Sequence, residues 1–204
     1  MTRRTFDLIL TSVGAMLVVV LVVAGSLAVW GASFANNNVH NQLAQQEIFF
    51  PTKTAFEHPT GKEVTTTMRP YLEQYAGQQL LTGAQAEAYA DHFIAHHLSE
   101  MPTGGVYSKV SASSLKNPTT AKLAALVQTS FRGTTLRGLL LEAYAFSVFG
   151  QIATVAAWAC FILAGITLIF VILGFLHFRK DTDVELVFEK SKTNGGAKVP
   201  EPVA

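Results

Sequence analysis

Residues 91–100 read DHFIAHHLSE and hold the side chains best suited to chemistry in this sequence. On a helix His92, His96 and Glu100 stand at i, i+4 and i+8, which lines two imidazoles and a carboxylate along one face as a metal could use them. A catalytic zinc helix also carries a glutamate between its histidines. Here the intervening Phe93, Ile94 and Ala95 supply no such base. A metal site further needs a third strong ligand fixed by its surroundings, and nothing in the spacing sets His40 or His58 against this helix. The competing reading makes Tyr89, Phe93, Ile94 and Leu98 the buried side. Asp91, His92, His96 and Glu100 are then solvated, with His96 and Glu100 paired one turn apart. The incomplete ligand set favours this second reading. A face of histidines would also respond to pH near neutrality.

No other catalytic pattern is present. The sequence has no phosphate-binding Gly-x-x-x-x-Gly-Lys, no Gly-x-Ser-x-Gly elbow and no defensible serine, histidine and aspartate set. Its single cysteine, Cys160, lies in an apolar stretch, so neither a disulfide scaffold nor a cysteine nucleophile is available to the central part of the chain. With 14% charged residues and a net charge of +1, nothing suggests a nucleic-acid surface. The expectation is a protein that is not an enzyme and needs no cofactor.

The elements that would position the histidines read as helices. Thr82 and Gln85 fit a capping box that starts a helix running to about Glu100, where Met101, Pro102, Gly104 and Gly105 end it. A shorter helix over residues 69–79 carries Pro70 in its first turn. Residues 52–67 read as a loop, and Val106 to Val110 as a short extended piece. Asn117 and Pro118 offer a cap and first-turn proline for a helix through Phe131 that breaks or bends at Gly133. After the first apolar segment, Val39, Leu43 and Phe50 continue at helical spacing as a stalk stopped by Pro51.

Residues 8–30 and 153–176 contain no charged side chain, and each exceeds the roughly 20 residues that cross a bilayer as a helix. A cleaved signal peptide has a much shorter apolar region, so the first segment is expected to stay as an anchor. Arg3 and Arg4 before the first span, and Arg179 and Lys180 after the second, place both termini in the cytoplasm. The expected fold is therefore an all-α membrane protein. It comprises a cytoplasmic N-terminus (1–6), a first transmembrane helix (7–33), a mostly helical extracytoplasmic domain (34–151), a second transmembrane helix (152–178) and a disordered cytoplasmic tail (179–204).

The last helix is longer than a membrane requires. Residues 134–178 contain no proline, and about 45 residues at 1.5 Å each make a rod of roughly 65 Å. Residues 139–156 would then stand outside the hydrocarbon while remaining apolar, and such a surface needs cover. The ordinary cover is the rest of the domain; the alternative is another membrane protein. Small residues recur every fourth position, Ala24, Ala28 and Ala32 in the first span and Ala156, Cys160 and Ala164 in the second, which suits close helix packing.

At TGAQAEAYADHFIAHHL, NNNVHNQLAQQEIFFP and FRGTTLRGLLLEAYAF the chain resembles a group of uncharacterised two-span membrane proteins of actinobacteria such as mycobacteria and corynebacteria. The resemblance covers most of residues 1–178 and implies a plasma-membrane location. Two-span proteins of this kind also look like accessory subunits of membrane complexes, respiratory ones among them. The expected role is an accessory or scaffold subunit that binds other membrane proteins or itself. The alternative is a membrane-tethered domain that binds a metal or ligand.

Overall fold

The computed structural model describes residues 3–61, 63–116 and 121–180. Seven α-helices order the described chain: α1 (Arg3–Gln45), α2 (Lys53–Glu57), α3 (Arg69–Leu72), α4 (Gly83–Ala88), α5 (Ala95–Ser99), α6 (Tyr107–Lys116) and α7 (Ala121–Lys180). Among the described residues there is no strand, only an isolated antiparallel bridge between Phe49 and Gln79. Two helical regions, Thr5–Gln45 and Ala121–His177, are long and apolar enough to cross a membrane, and only 6% of the most apolar stretch of either is buried. That exposure separates them from the core helices of a water-soluble fold, whose apolar side chains are mostly buried. The chain divides into two compact units, one built from α1 up to Ala28 and α7 from Ala156, the other comprising Val29–Val155.

In the first unit the two helix segments run antiparallel. A Cβ on Gly14 would come within 2.7 Å of Val171, one on Gly25 within 3.0 Å of Phe161, and one on Gly174 within 3.0 Å of Thr11. The less exposed positions alternate in steps of three and four: Thr11, Gly14, Val18, Leu21, Gly25 and Ala28 face Ala157, Cys160, Ala164, Thr167, Val171 and Gly174. That period of 3.5 is the seam of a left-handed helix pair, and its small residues let the backbones approach closely. Ala28, Cys160 and Ala164 of the expected small-residue faces lie on this seam. Ala24 and Ala156 are exposed, each one residue off it, because Gly25 and Ala157 occupy the seam instead.

Among the described residues the second unit has a core of Val39, Leu43, Phe50, Phe56, Val64, Met68, Leu72, Leu80, Ala86, Ala90, Ile94 and Leu140. Burial of each large side chain in it contributes roughly 1.5–3 kcal/mol. Ala32, at the near end of α1, is also buried in this unit. The stalk ends earlier than its spacing suggests. α1 stops at Gln45, Glu47 takes a positive φ of 49°, and Phe50 reaches the core from an extended segment. This segment pairs with residues 78–80 through Phe50 N–H to Gln78 O (2.9 Å) and Leu80 N–H to Ile48 O (2.8 Å).

That pairing explains why the helix expected over residues 69–79 is shorter. α3 passes into a 3₁₀ turn at Glu73–Tyr75, and the chain reverses at Gly77, whose φ of 70° is costly for a residue with a Cβ. The segment 52–67 contains the short α2, closed over the core by the fully buried Phe56. Of the piece Val106 to Val110 only Val106 is extended; from Tyr107 the chain is α6, with Val110 buried. α7 does not break at Gly133. A Cβ there would approach Leu98 to 2.7 Å, so this glycine serves close packing within a continuous helix. The expected cap at Asn117 and Pro118 lies outside the described residues; of the tail expected over 179–204, Arg179 and Lys180 end α7 and the remainder lies outside the described residues.

Candidate functional site

The capping box at Thr82 is formed: its hydroxyl accepts from Gln85 N–H at 3.2 Å, while Gln85 Oε1 accepts from Leu81 N–H at 2.8 Å and Thr82 N–H at 3.0 Å. Gln85 is buried, and its amide nitrogen donates to Gln78 Oε1 at 3.1 Å, so one side chain ties the start of α4 to the turn before it. Beyond Ala88 the helix widens into a π turn, Tyr89–Ile94, before α5 resumes the α-helical pitch. The wider turn changes the angle between successive side chains, so spacing alone no longer says which of them share a face.

His92 stacks on Tyr71 of α3, with ring centroids 3.6 Å apart and planes 5° from parallel. His96 Nε2 lies 3.3 Å from Glu100 Oε1, the expected pair one turn apart, and 3.4 Å from the Thr65 hydroxyl. His97 Nδ1 is 2.8 Å from the Phe93 carbonyl, an acceptor, so this nitrogen carries the proton. Thus His96 and Glu100 come together while His92 is engaged with a tyrosine ring. Among the described residues, no group of three or more histidine, cysteine, aspartate or glutamate side chains is disposed to hold a metal ion.

Of the expected buried side, Ile94 is buried, and Tyr89, Phe93 and Leu98 are partly buried against the core. Phe50, Tyr89 and Phe93 form an aromatic run: Phe50 meets the Tyr89 ring edge-on at 5.4 Å, and Tyr89 stacks on Phe93 at 4.6 Å. Burial pushes the Tyr89 hydroxyl above its ordinary pKa, and the Glu63 charge adds to the shift. On the surface of α3, Arg69 holds the Glu73 carboxylate through two hydrogen bonds of 2.9 and 3.0 Å. This pairing lowers the pKa of Glu73 and raises that of Arg69.

Asp91 is not simply solvated. Its Oδ1 accepts from Arg137 Nη2 at 2.7 Å, joining the π turn to α7 across 46 positions. The Nε of Arg137 is buried without a partner, while the side chain as a whole is 40% exposed, so solvent and Asp91 share the rest of the guanidinium. Nothing in local spacing signals such a contact. The buried Ser130 similarly donates to the Gly105 carbonyl at 2.5 Å and fixes the turn after α5 onto α7.

Two clefts among the described residues open in the same unit. One of about 340 Å³ lies between Gln42 and Gln46 of α1 and Leu139, Glu142 and Phe146 of α7. The other, of about 360 Å³, lies where Asn36, Asn37 and His40 of α1 meet the start of α4 and Ser147 and Gln151 of α7. Fold and site together define a helical protein with two helices long and apolar enough to cross a membrane, and a helical unit cored by aromatic and aliphatic side chains. The sequence matches no protein-family model, no curated protein and no solved structure.

Proposed function

We propose that this chain is a non-enzymatic integral protein of the plasma membrane that serves as an accessory or scaffold subunit for other membrane proteins. In this reading both termini are cytoplasmic and residues 34–151 form an extracytoplasmic domain. The observation that carries it is an uncovered apolar face on α7. Leu139, Phe146, Phe149 and Ile152 are 54%, 42%, 67% and 59% exposed within the unit of residues 29–155, although Leu140 beside them is fully buried. Contiguous large apolar side chains in contact with water are characteristic of a surface that another protein occupies. The absence of charge between Glu142 and Arg179 extends this surface beyond what a bilayer alone would cover. The resemblance to two-span actinobacterial membrane proteins supports the same reading.

Photo-crosslinking tests it. With benzoylphenylalanine at Phe149 in native membranes, illumination should yield one discrete adduct of defined mass, and the same probe at exposed Thr129 should not. A probe at Phe149 that labels only lipid would overturn the scaffold role. Reporter fusions after Ala35 and at the C-terminus should report opposite sides of the membrane; the same side for both would overturn the topology.

A further inference from the structure

The uncovered face of α7 is apolar except at one position. Leu139, Glu142, Phe146 and Phe149 follow one another in steps of three, four and three, so they share one side of the helix and form the seam that a second helix fits. All four are exposed. Glu142 is the only lysine, arginine, aspartate or glutamate from residue 138 to residue 178. Among the described residues its carboxylate has neither an ion-pair nor a hydrogen-bond partner. The neighbouring stretch of α1, residues 35–46, contains no lysine or arginine that could reach it.

Glu142 also lines the cleft of about 340 Å³, together with Asn38, Gln42 and Gln46 of α1 and Leu139 and Phe146 of α7. Gln42 Nε2 donates to Asn38 Oδ1 at 3.0 Å, which leaves the Gln42 carbonyl oxygen as a second acceptor beside the carboxylate. A guanidinium or an ammonium carries donors only, and more of them than one carboxylate oxygen takes up. A purely apolar partner laid over this face would strip water from Glu142 and return nothing, a cost that opposes the gain from Leu139, Phe146 and Phe149. A partner that sets a cation against Glu142 avoids that cost. Self-pairing does not: two copies in one membrane share their orientation, so a symmetric pair on this face sets Glu142 against Glu142.

We infer that this face of α7 is docked by a helix of another membrane protein that is apolar along the contact and presents one arginine or lysine to Glu142 at the cleft. The inference rests on the scaffold role proposed above and specifies the chemistry of its partner. The test illuminates the full chain, with benzoylphenylalanine at Phe149, in native membranes and compares variants at Glu142. Because Glu142 is exposed and unpaired within the described chain, thermal unfolding should be the same in each. Glu142→Asp should keep the adduct, Glu142→Gln should lower its yield about tenfold, and Glu142→Arg should abolish it. Mass spectrometry of the captured peptide should find an arginine or lysine about two helical turns from the attachment point, the separation of Phe149 from Glu142. Changing that residue to glutamate should restore the adduct to the Glu142→Arg chain.

Equal yields from the Glu142→Gln and Glu142→Arg chains, a captured helix without a cation at that distance, or a charge swap that restores nothing would overturn this inference and leave the scaffold role standing. An adduct of twice the chain's own mass would overturn it in favour of self-association. No adduct from the chain with Glu142 intact would overturn the scaffold role and this inference with it.

Discussion

Asp91 Oδ1 and Arg137 Nη2 lie 2.7 Å apart and bind the π turn of the histidine-bearing helix to α7. The side chains are 36% and 40% exposed, so solvent screens the charge and the net coupling should be modest. A double-mutant cycle of Asp91→Ala and Arg137→Ala, read by unfolding in mild detergent, should give a coupling of about 0.5–1 kcal/mol that shrinks with added salt. Strict additivity of the two single changes would show that the contact contributes nothing to stability.

The capping box should show a separate and larger local effect. Thr82→Ala removes the acceptor for Gln85 N–H at a helix start and should cost about 1 kcal/mol, whereas Thr82→Ser should restore most of it. Equal stability of the alanine and serine variants would mean that the hydroxyl is dispensable.

Gly83 sits so close to α7 that a Cβ would overlap the Ser147 side chain and lie 3.3 Å from the Tyr144 Cα. Gly83→Ala should therefore destabilise the unit by about 1–3 kcal/mol. Adding Ser147→Gly should recover part of that loss by removing the overlapping atoms, despite glycine's own penalty in a helix. A double variant less stable than either single one would refute the steric account.

Tyr89 provides the pH-dependent prediction. Its folded pKa is raised, chiefly by burial, so the folded state keeps this proton at a pH where the unfolded chain has lost it. The contribution of Tyr89 to stability is intact below the ordinary tyrosine value of about 10, and declines as pH rises from there through the raised folded value. In ultraviolet titration the wild type minus Tyr89→Phe difference should show a phenolate midpoint above the ordinary one. The variant should also lose less stability between neutral and alkaline pH. A difference curve centred on the free-tyrosine value would contradict burial of the hydroxyl.

Much of the local architecture was legible in the sequence because its causes are local. Charge-free apolar runs determine helices long enough to cross a bilayer, since each residue adds a fixed rise and a fixed apolar area. Thr82 and Gln85 announce a helix start because the cap closes within four residues. The His96 and Glu100 pair follows from one turn of α5. By contrast, spacing drew Val106 to Val110 as extended and broke or bent the last helix at Gly133. Local preferences there yield to packing, with Val110 drawn into the interior and Gly133 accommodating Leu98.

Only the tertiary structure decided what surrounds the histidines. The π turn, the Tyr71 stack on His92 and the Arg137 contact to Asp91 all depend on which distant elements arrive beside residues 89–94. The same holds for the helix seam: a four-residue repeat of small side chains suggested Ala24 and Ala156, but the pairing of the two helices selects Gly25 and Ala157. Sequence determined that these segments are helical and apolar, because those properties are summed along the chain. Which face of each helix is buried was left to the tertiary structure, because contact with a partner element fixes the rotation of a helix and composition does not.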